Sequence, residues 1–253
     1  MVEVEFLRVH QRPEGVFEHK PTIIRIGRNG GVDGLRFDRS GHSSEDPEEE
    51  FGDDLVILLA GSDHFVIELA GAEGNRAFEA KDYATARRAY ERVLSLDPKN
   101  QMGLVNLGMV EFYSGDPAKS ENLLKQAVRQ RLETAPAWLT LGMIYMDQNR
   151  FREALAALSQ ATLLDPQNPR ARNFLGVVIG REGWIDGAQQ ELRRAVELNP
   201  DYADAHYNLA VFYLQEKPPA IELARRHYFK ARELGLENDD AMEKVFKTTS
   251  PKP

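Results

Sequence analysis

Histidines, carboxylates and glycine-rich turns are the features of this chain that could form an active site. The six histidines are scattered, with no H-x-x-x-H or H-E-x-x-H spacing: His10, His19, His42, His64, His206 and His227. No G-x-S-x-G, phosphate-binding loop or G-x-G-x-x-G motif occurs, and residues 28–34 (RNGGVDG) are typical of a turn. His227, among basic and aromatic residues, is predicted to be an isolated structural side chain. We therefore expect no enzyme, no catalytic or metal-binding residue and no cofactor.

Carboxylates are concentrated in residues 45–54, and such groups could bind a divalent cation. They lack the regular alternation of ligands that a calcium loop has, so we interpret residues 42–54 as a solvated acidic loop. Most of the net charge of −8 comes from this part of the chain. No basic stripe is visible, which argues against nucleic acid as a partner.

The N-terminus has no basic region followed by an apolar region, so we expect no secretory signal and a cytoplasmic location. No apolar run approaches the roughly 18 residues of a membrane span. Cysteine is absent, which excludes disulfides and thiolate sites.

An internal period organises the rest of the chain. Small residues recur at intervals of 34 at Gly74, Gly108, Gly142, Gly176 and Ala210, and Pro98, Pro166 and Pro200 follow the same register. Within each interval, apolar residues fall three and four apart, the spacing of one helical face. A second set of small residues would let the two helices of a unit approach closely: Ala86, Ser120, Ala154, Ala188 and Ala224.

One unit contains Trp138, Leu141-Gly142, Tyr145, Ala161 and Pro166, and with its period it resembles the tetratricopeptide repeat. The resemblance implies a mostly α protein built as a right-handed α-solenoid of helix-turn-helix units. The residues before the repeats predict a small N-terminal β-rich domain. The predicted domains are residues 1–62, β-rich, and residues 63–238, five units at 67–100, 101–134, 135–168, 169–202 and 203–238. A capping helix at 238–248 and a tail at 249–253 would follow.

Local signals support these helices. Asp116-Pro117 predicts a helix start, and Pro218 or Pro219 predicts another. Asn238 or Asp239 would cap the last helix, whose apolar face carries Met242, Val245 and Phe246.

The first 62 residues contain short runs rich in β-branched residues, which predict four or five strands. Gly27-Arg28 after such a run faintly resembles the start of a forkhead-associated domain, which binds phosphothreonine peptides. Ser40-Gly41-His42 is one residue short of the Ser-x-x-His element of that family, and the later Asn-Gly element is missing.

The tetratricopeptide resemblance implies that one set of positions in each unit lines a concave groove where polypeptides bind. Large apolar side chains dominate these positions, and in unit two all five are apolar. The groove residues predicted to contact a partner are Asn75, Phe78, Met102, Val105, Met109, Phe112, Tyr113, Leu139, Met143, Met146, Asn173, Val177, Arg181, Tyr207, Val211 and Leu214. Because methionine and aromatic residues adapt to apolar surfaces, we expect a protein or peptide partner with an apolar or amphipathic segment.

Three alternatives stay open: a phosphopeptide adaptor, a self-associating assembly protein that forms a homo-oligomer, and a groove occluded by the N-terminal domain. A clamp for a terminal carboxylate would share Asn75 and Asn106, but its cation positions are Gly71, Pro136 and Thr140 here. That clamp is therefore rejected, and a non-enzymatic scaffold or adaptor is the leading hypothesis.

Overall fold

A computed structural model describes residues 22–25, 56–59 and 63–248 of the 253-residue chain. The chain divides into two compact units, Met1–Leu69 and Ala70–Pro253. In the first, strand β1 (Thr22–Arg25) pairs antiparallel with β2 (Val56–Leu59), with Thr22 opposite Leu59. Both lie in runs predicted as strands. The described residues show this two-stranded ladder and no β-rich domain.

Several predictions of the N-terminal part lie outside the described residues. They concern the other strands, the acidic loop 42–54, the forkhead-like Gly27-Arg28 and Ser40-Gly41-His42, and three of the six histidines. The tail 249–253 lies outside them as well.

Eleven helices account for most of the described chain. They are α1 Asp63–Glu79, α2 Tyr83–Leu96, α3 Gln101–Tyr113, α4 Pro117–Gln130, α5 Ala135–Asp147, α6 Phe151–Leu164, α7 Pro169–Arg181, α8 Ile185–Leu198, α9 Ala203–Gln215, α10 Ile221–Glu233 and α11 Asp240–Thr248. None of these described helices is long and apolar enough to cross a bilayer.

Polar side chains fix several helix starts. Asp116 Oδ1 accepts a hydrogen bond from Lys119 N at 3.0 Å with Pro117 as the first residue of α4, as predicted. Asn100 Oδ1 accepts from Gly103 N in the same way at the start of α3. These bonds satisfy N–H groups that have no partner inside the helix. The predicted helix start at Pro218 or Pro219 is wrong, because α10 begins at Ile221.

Two helices end at a Leu-Asp-Pro sequence. Helices α2 and α6 stop at Leu96 and Leu164, and Asp97 and Asp165 then leave the helical conformation, since the residue before proline disfavours it. Asp239 caps α11 by accepting hydrogen bonds from the backbone N–H groups of Ala241 and Met242.

From α2 to α11, consecutive helices contact each other, and the odd helices α3, α5, α7 and α9 also contact one another across the intervening helix. Gly142 explains the closeness of one pair: a Cβ atom there would lie 2.5 Å from Leu158 Cγ of α6. Gly108 and Gly176 meet Leu124 and Leu192 in the same way. Since the odd helices approach each other more closely than the even ones do, they form the inner layer of the stack.

Candidate functional site

The predicted groove residues all lie on the inner helices α1, α3, α5, α7 and α9. Met102 is 39% exposed, and most of the others are half-buried. Val105, Met143 and Asn173 are buried, at 6%, 6% and 2% exposure, and therefore belong to the floor of this face. Asn75 and Arg181 are exposed at its surface.

An aromatic cluster lies at the carboxyl ends of α1 and α3. The ring of Tyr113 is 5.7 Å from Phe78, 6.2 Å from Tyr83 and 5.2 Å from Phe112, measured between ring centroids. The guanidinium of Arg170, at the start of α7, lies 5.8 Å from the Tyr113 ring. A cation at this distance from an aromatic face is attracted to it. The cluster therefore connects three inner helices and keeps one cation of the groove on an aromatic ring.

Asparagine pairs join neighbouring inner helices. Asn106 Nδ2 donates to Asn75 Oδ1 at 3.1 Å, and the hydroxyl of Tyr90 donates to the same oxygen at 2.7 Å. Burial raises the pKa of Tyr90 to about 12, so this hydroxyl stays protonated and remains a donor. The two asparagines that the rejected carboxylate clamp would share are thus bonded to each other.

The second asparagine pair lies farther along the stack. Asn208 Nδ2 donates to the buried Asn173 Oδ1 at 2.9 Å. This bond explains why a polar side chain, predicted to contact a partner, is instead buried between α7 and α9.

Tyr207, at the other end of the inner face, is also engaged. Its hydroxyl donates to Asp239 Oδ2 at 2.6 Å. This bond and burial raise the pKa of Tyr207 to about 12, and the same bond lowers the pKa of Asp239. Tyr207 therefore fastens α9 to the cap of α11, a role that its position in the repeat did not indicate.

A pocket of about 130 Å³ opens on the inner face between α1 and α3. It is lined by Asn75, Phe78, Glu79, Tyr90, Asn106 and Met109. Three of these are predicted groove residues. The pocket combines two apolar walls with amide groups and a carboxylate, so it can distinguish partner side chains by their polarity.

The sequence missed a histidine pair outside this face. His206 Nδ1 lies 2.8 Å from His227 Nδ1, and His206 Nε2 lies 3.0 Å from the carbonyl oxygen of Pro200. Because the carbonyl only accepts, His206 Nε2 carries the proton and His227 Nδ1–H donates to His206 Nδ1. The prediction that His227 is isolated is wrong. The two histidines lie on different helices, α9 and α10, so their spacing in the sequence gave no signal for the contact.

A buried ion cluster was missed as well. Glu111 is 1% exposed and accepts hydrogen bonds from Arg87 at 2.8 Å and 3.0 Å, and Lys119 Nζ lies 2.6 Å away. Burial alone would raise the pKa of Glu111, but the bonds from Arg87 and Lys119 outweigh it and leave the pKa below its usual value. The cluster ties α2, α3 and α4 together, which is a structural role.

Comparison with known proteins agrees with this architecture. Family models described as tetratricopeptide repeat match residues 72–131 and 111–177, and a model described as TPR repeat matches residues 181–216. The chain is 31% identical over 139 residues to a probable UDP-N-acetylglucosamine–peptide N-acetylglucosaminyltransferase SPINDLY of Hordeum vulgare. That alignment covers 52% of this chain and 15% of the barley protein, so the chain spans a small part of this relative's length.

Solved structures share the fold. A crystal structure of MamA superposes with a TM-score of 0.55 at 24% identity, covering 74% of this chain and 98% of that one. The structure of pilF of Pseudomonas aeruginosa superposes with a TM-score of 0.64 at 19% identity, covering 73% of this chain and 86% of that one. At these identities the likeness concerns the fold alone.

Proposed function

This chain belongs to the tetratricopeptide-repeat family, and from that premise we propose that it is a non-enzymatic scaffold or adaptor. It binds an apolar or amphipathic segment of a partner protein on the inner face of its helix stack. Repeat proteins of this family are in general scaffolds for protein–protein interaction. The right-handed course of the solenoid and the β-rich nature of residues 1–62 are part of this proposal.

One observation carries the proposal: the partly exposed apolar residues of α3. Met102 is 39% exposed, and Met109, Phe112 and Tyr113 are half-buried next to it on the same face. A helix that packs on one side needs one apolar face, whereas α3 also buries Leu104, Leu107 and Val110 against its neighbours. The second apolar face packs only in part within the fold, and an adaptable methionine surface suits a polypeptide partner.

The test is a selection of binders from a random linear peptide library displayed on phage, with the full chain as bait. We expect the wild type to enrich peptides with several apolar residues. The double variant Met109→Glu, Phe112→Glu should lose this enrichment, because two carboxylates would face the apolar segment. Circular dichroism should show the same helicity in both proteins.

A matched control places glutamate on another face. Leu163 of α6 is 73% exposed and belongs to an outer helix, so Leu163→Glu should leave the selection unchanged. Equal enrichment by the wild type and the double variant would contradict the proposal. A wild type that enriches no peptide and is dimeric by light scattering, while the double variant is monomeric, would favour self-association instead.

A further inference from the structure

The walls of the pocket between α1 and α3 differ in polarity. Phe78 and Met109, both half-buried, contribute apolar surface, while Asn75 and Asn106 present amide groups. Glu79, the last residue of α1, is exposed and is the charged residue of the lining. Room of about 130 Å³ suits one side chain of a bound segment rather than a helix or a domain.

The hydrogen bonds inside the pocket leave acceptors open. Asn75 Oδ1 already accepts from Tyr90 and from Asn106, which uses both of its lone pairs. Among the described residues, neither Asn106 Oδ1 nor the Glu79 carboxylate accepts a hydrogen bond from another side chain. A ligand group that donates several hydrogen bonds would therefore find partners here.

Charge limits the choice of donor. Within the described part of the chain, no Lys, Arg or His nitrogen lies within ion-pair distance of Glu79. The charge of Glu79 acts on the neighbouring Tyr90. Burial is the main reason that the pKa of Tyr90 is raised, and the negative charge of Glu79 raises it further. The guanidinium of Arg170 lies near the ring of Tyr113 instead. A carboxylate of a partner would be repelled by Glu79, and a wholly apolar side chain would bury the open acceptors at a cost.

We propose that this pocket receives an arginine or lysine side chain of the partner polypeptide, with its aliphatic stem between Phe78 and Met109 and its charged end at Glu79 and Asn106 Oδ1. Long basic side chains bury their stems on apolar surfaces while the charge stays at a polar rim. The inference rests on the proposed function and adds one element to it: the bound segment is apolar with a basic residue at one position.

The test extends the phage selection with synthetic peptides. Peptides enriched by the full wild-type chain should carry a recurrent arginine or lysine between apolar residues. In fluorescence anisotropy, replacing that residue by glutamine in the peptide should weaken binding to the wild type about fivefold, the upper value for an exposed ion pair. The same replacement should have little effect on binding to Glu79→Gln.

Glu73→Gln is the matched control, because Glu73 is an exposed acid of the same helix outside the pocket lining. It should bind both peptides as the wild type does. Enriched apolar peptides without a recurrent basic residue would overturn the pocket inference and leave the proposed function standing. An unchanged basic preference in Glu79→Gln would overturn the inference as well. Failure of the wild type to enrich any peptide would overturn both.

Discussion

At the scale of single residues, one N–H···N hydrogen bond from His227 to His206 joins α10 to α9. His206 is 6% exposed, and its Nε2–H is used by the carbonyl of Pro200. The half-buried His227 faces Arg226, Lys230 and Glu233 in a depression on the outer side of these helices. The pKa of His227 is lowered to about 4, mainly because the ring is partly buried. The neighbouring His206 and Arg226 lower it further.

This lowered pKa predicts acid sensitivity. The ordinary pKa of histidine is about 6.5, so the unfolded chain takes up a proton before the folded chain does. Stability is therefore complete above about pH 6.5 and is lost as the pH falls toward 4. We expect this group to lower the free energy of unfolding by about 2 kcal/mol, less than the full shift would give because solvent screens the half-buried ring. Urea denaturation across that interval measures the loss.

The variant His227→Gln keeps a donor for His206 and removes the titration. Its free energy of unfolding should change less between pH 6.5 and pH 4 than that of the wild type. His64→Gln, at an exposed residue of α1, is the control and should follow the wild type. Equal pH dependence in His227→Gln and the wild type would show that His227 does not titrate as inferred.

At the scale of helices, the close approach of α5 to α6 depends on the missing side chain of Gly142. A Cβ atom there would lie 2.5 Å from Leu158 Cγ and 2.6 Å from Leu158 Cδ2, and Leu158 is fully buried. Gly142→Val should therefore lower the free energy of unfolding by about 2 kcal/mol, because overpacking a closed core forces side chains and backbone apart. Thermal or urea denaturation measures the loss.

The control for this change is Ala156→Val, at an exposed position inside α6. It introduces the same β-branched residue, whose helix propensity alone costs about 0.5 kcal/mol. If both variants lost the same stability, the spacing of small residues would reflect helix propensity and not helix packing.

These packing positions show what the sequence could predict of the fold. Gly142 and its equivalents recur every 34 residues because every unit repeats one helix contact. The sequence period therefore predicts a contact between two helices of each unit. The caps at Asp116 and Asp239 were also predictable, because a cap depends on residues within one turn. Pro218 and Pro219 gave a wrong helix start, because a proline pair also suits an extended connection. The turn before α10 ends at Ala220, whose N–H donates to the carbonyl oxygen of Tyr213.

The candidate site was predictable in part for the same reason. Repeat position placed Phe78 and Met109 on the inner face, where both line the pocket. The burial of Asn173 beside Asn208 and the bond from Tyr207 to Asp239 depend on side chains beyond a single unit, and the histidine pair joins the two helices of unit five. Such contacts arise from the stacking angle of whole helices, which a single sequence does not give.

At the scale of the whole stack, each helix contacts near neighbours in the chain. The stability of one unit therefore depends on its interfaces with the adjacent units. Among the described residues, α11 packs on the last helix pair, α9 and α10. Met242 and Phe246 of α11 are 7% and 4% exposed in the cluster that includes Tyr213 and Tyr228, and the ring of Phe246 lies 5.5 Å from that of Tyr228. Opening of α11 should therefore loosen α9 and α10 first.

We predict a graded effect of Phe246→Ala along the stack. Truncating this buried ring should cost about 3 kcal/mol locally. Amide hydrogen exchange should then accelerate most in α10 and α9, less in α7 and least in α3 and α4, because the loss passes through one interface at a time. Lys247→Ala, at an exposed residue of the same helix, is the control and should leave the exchange of α9 and α10 near that of the wild type. A uniform acceleration from α3 to α10 would instead mean that the stack unfolds as one cooperative body.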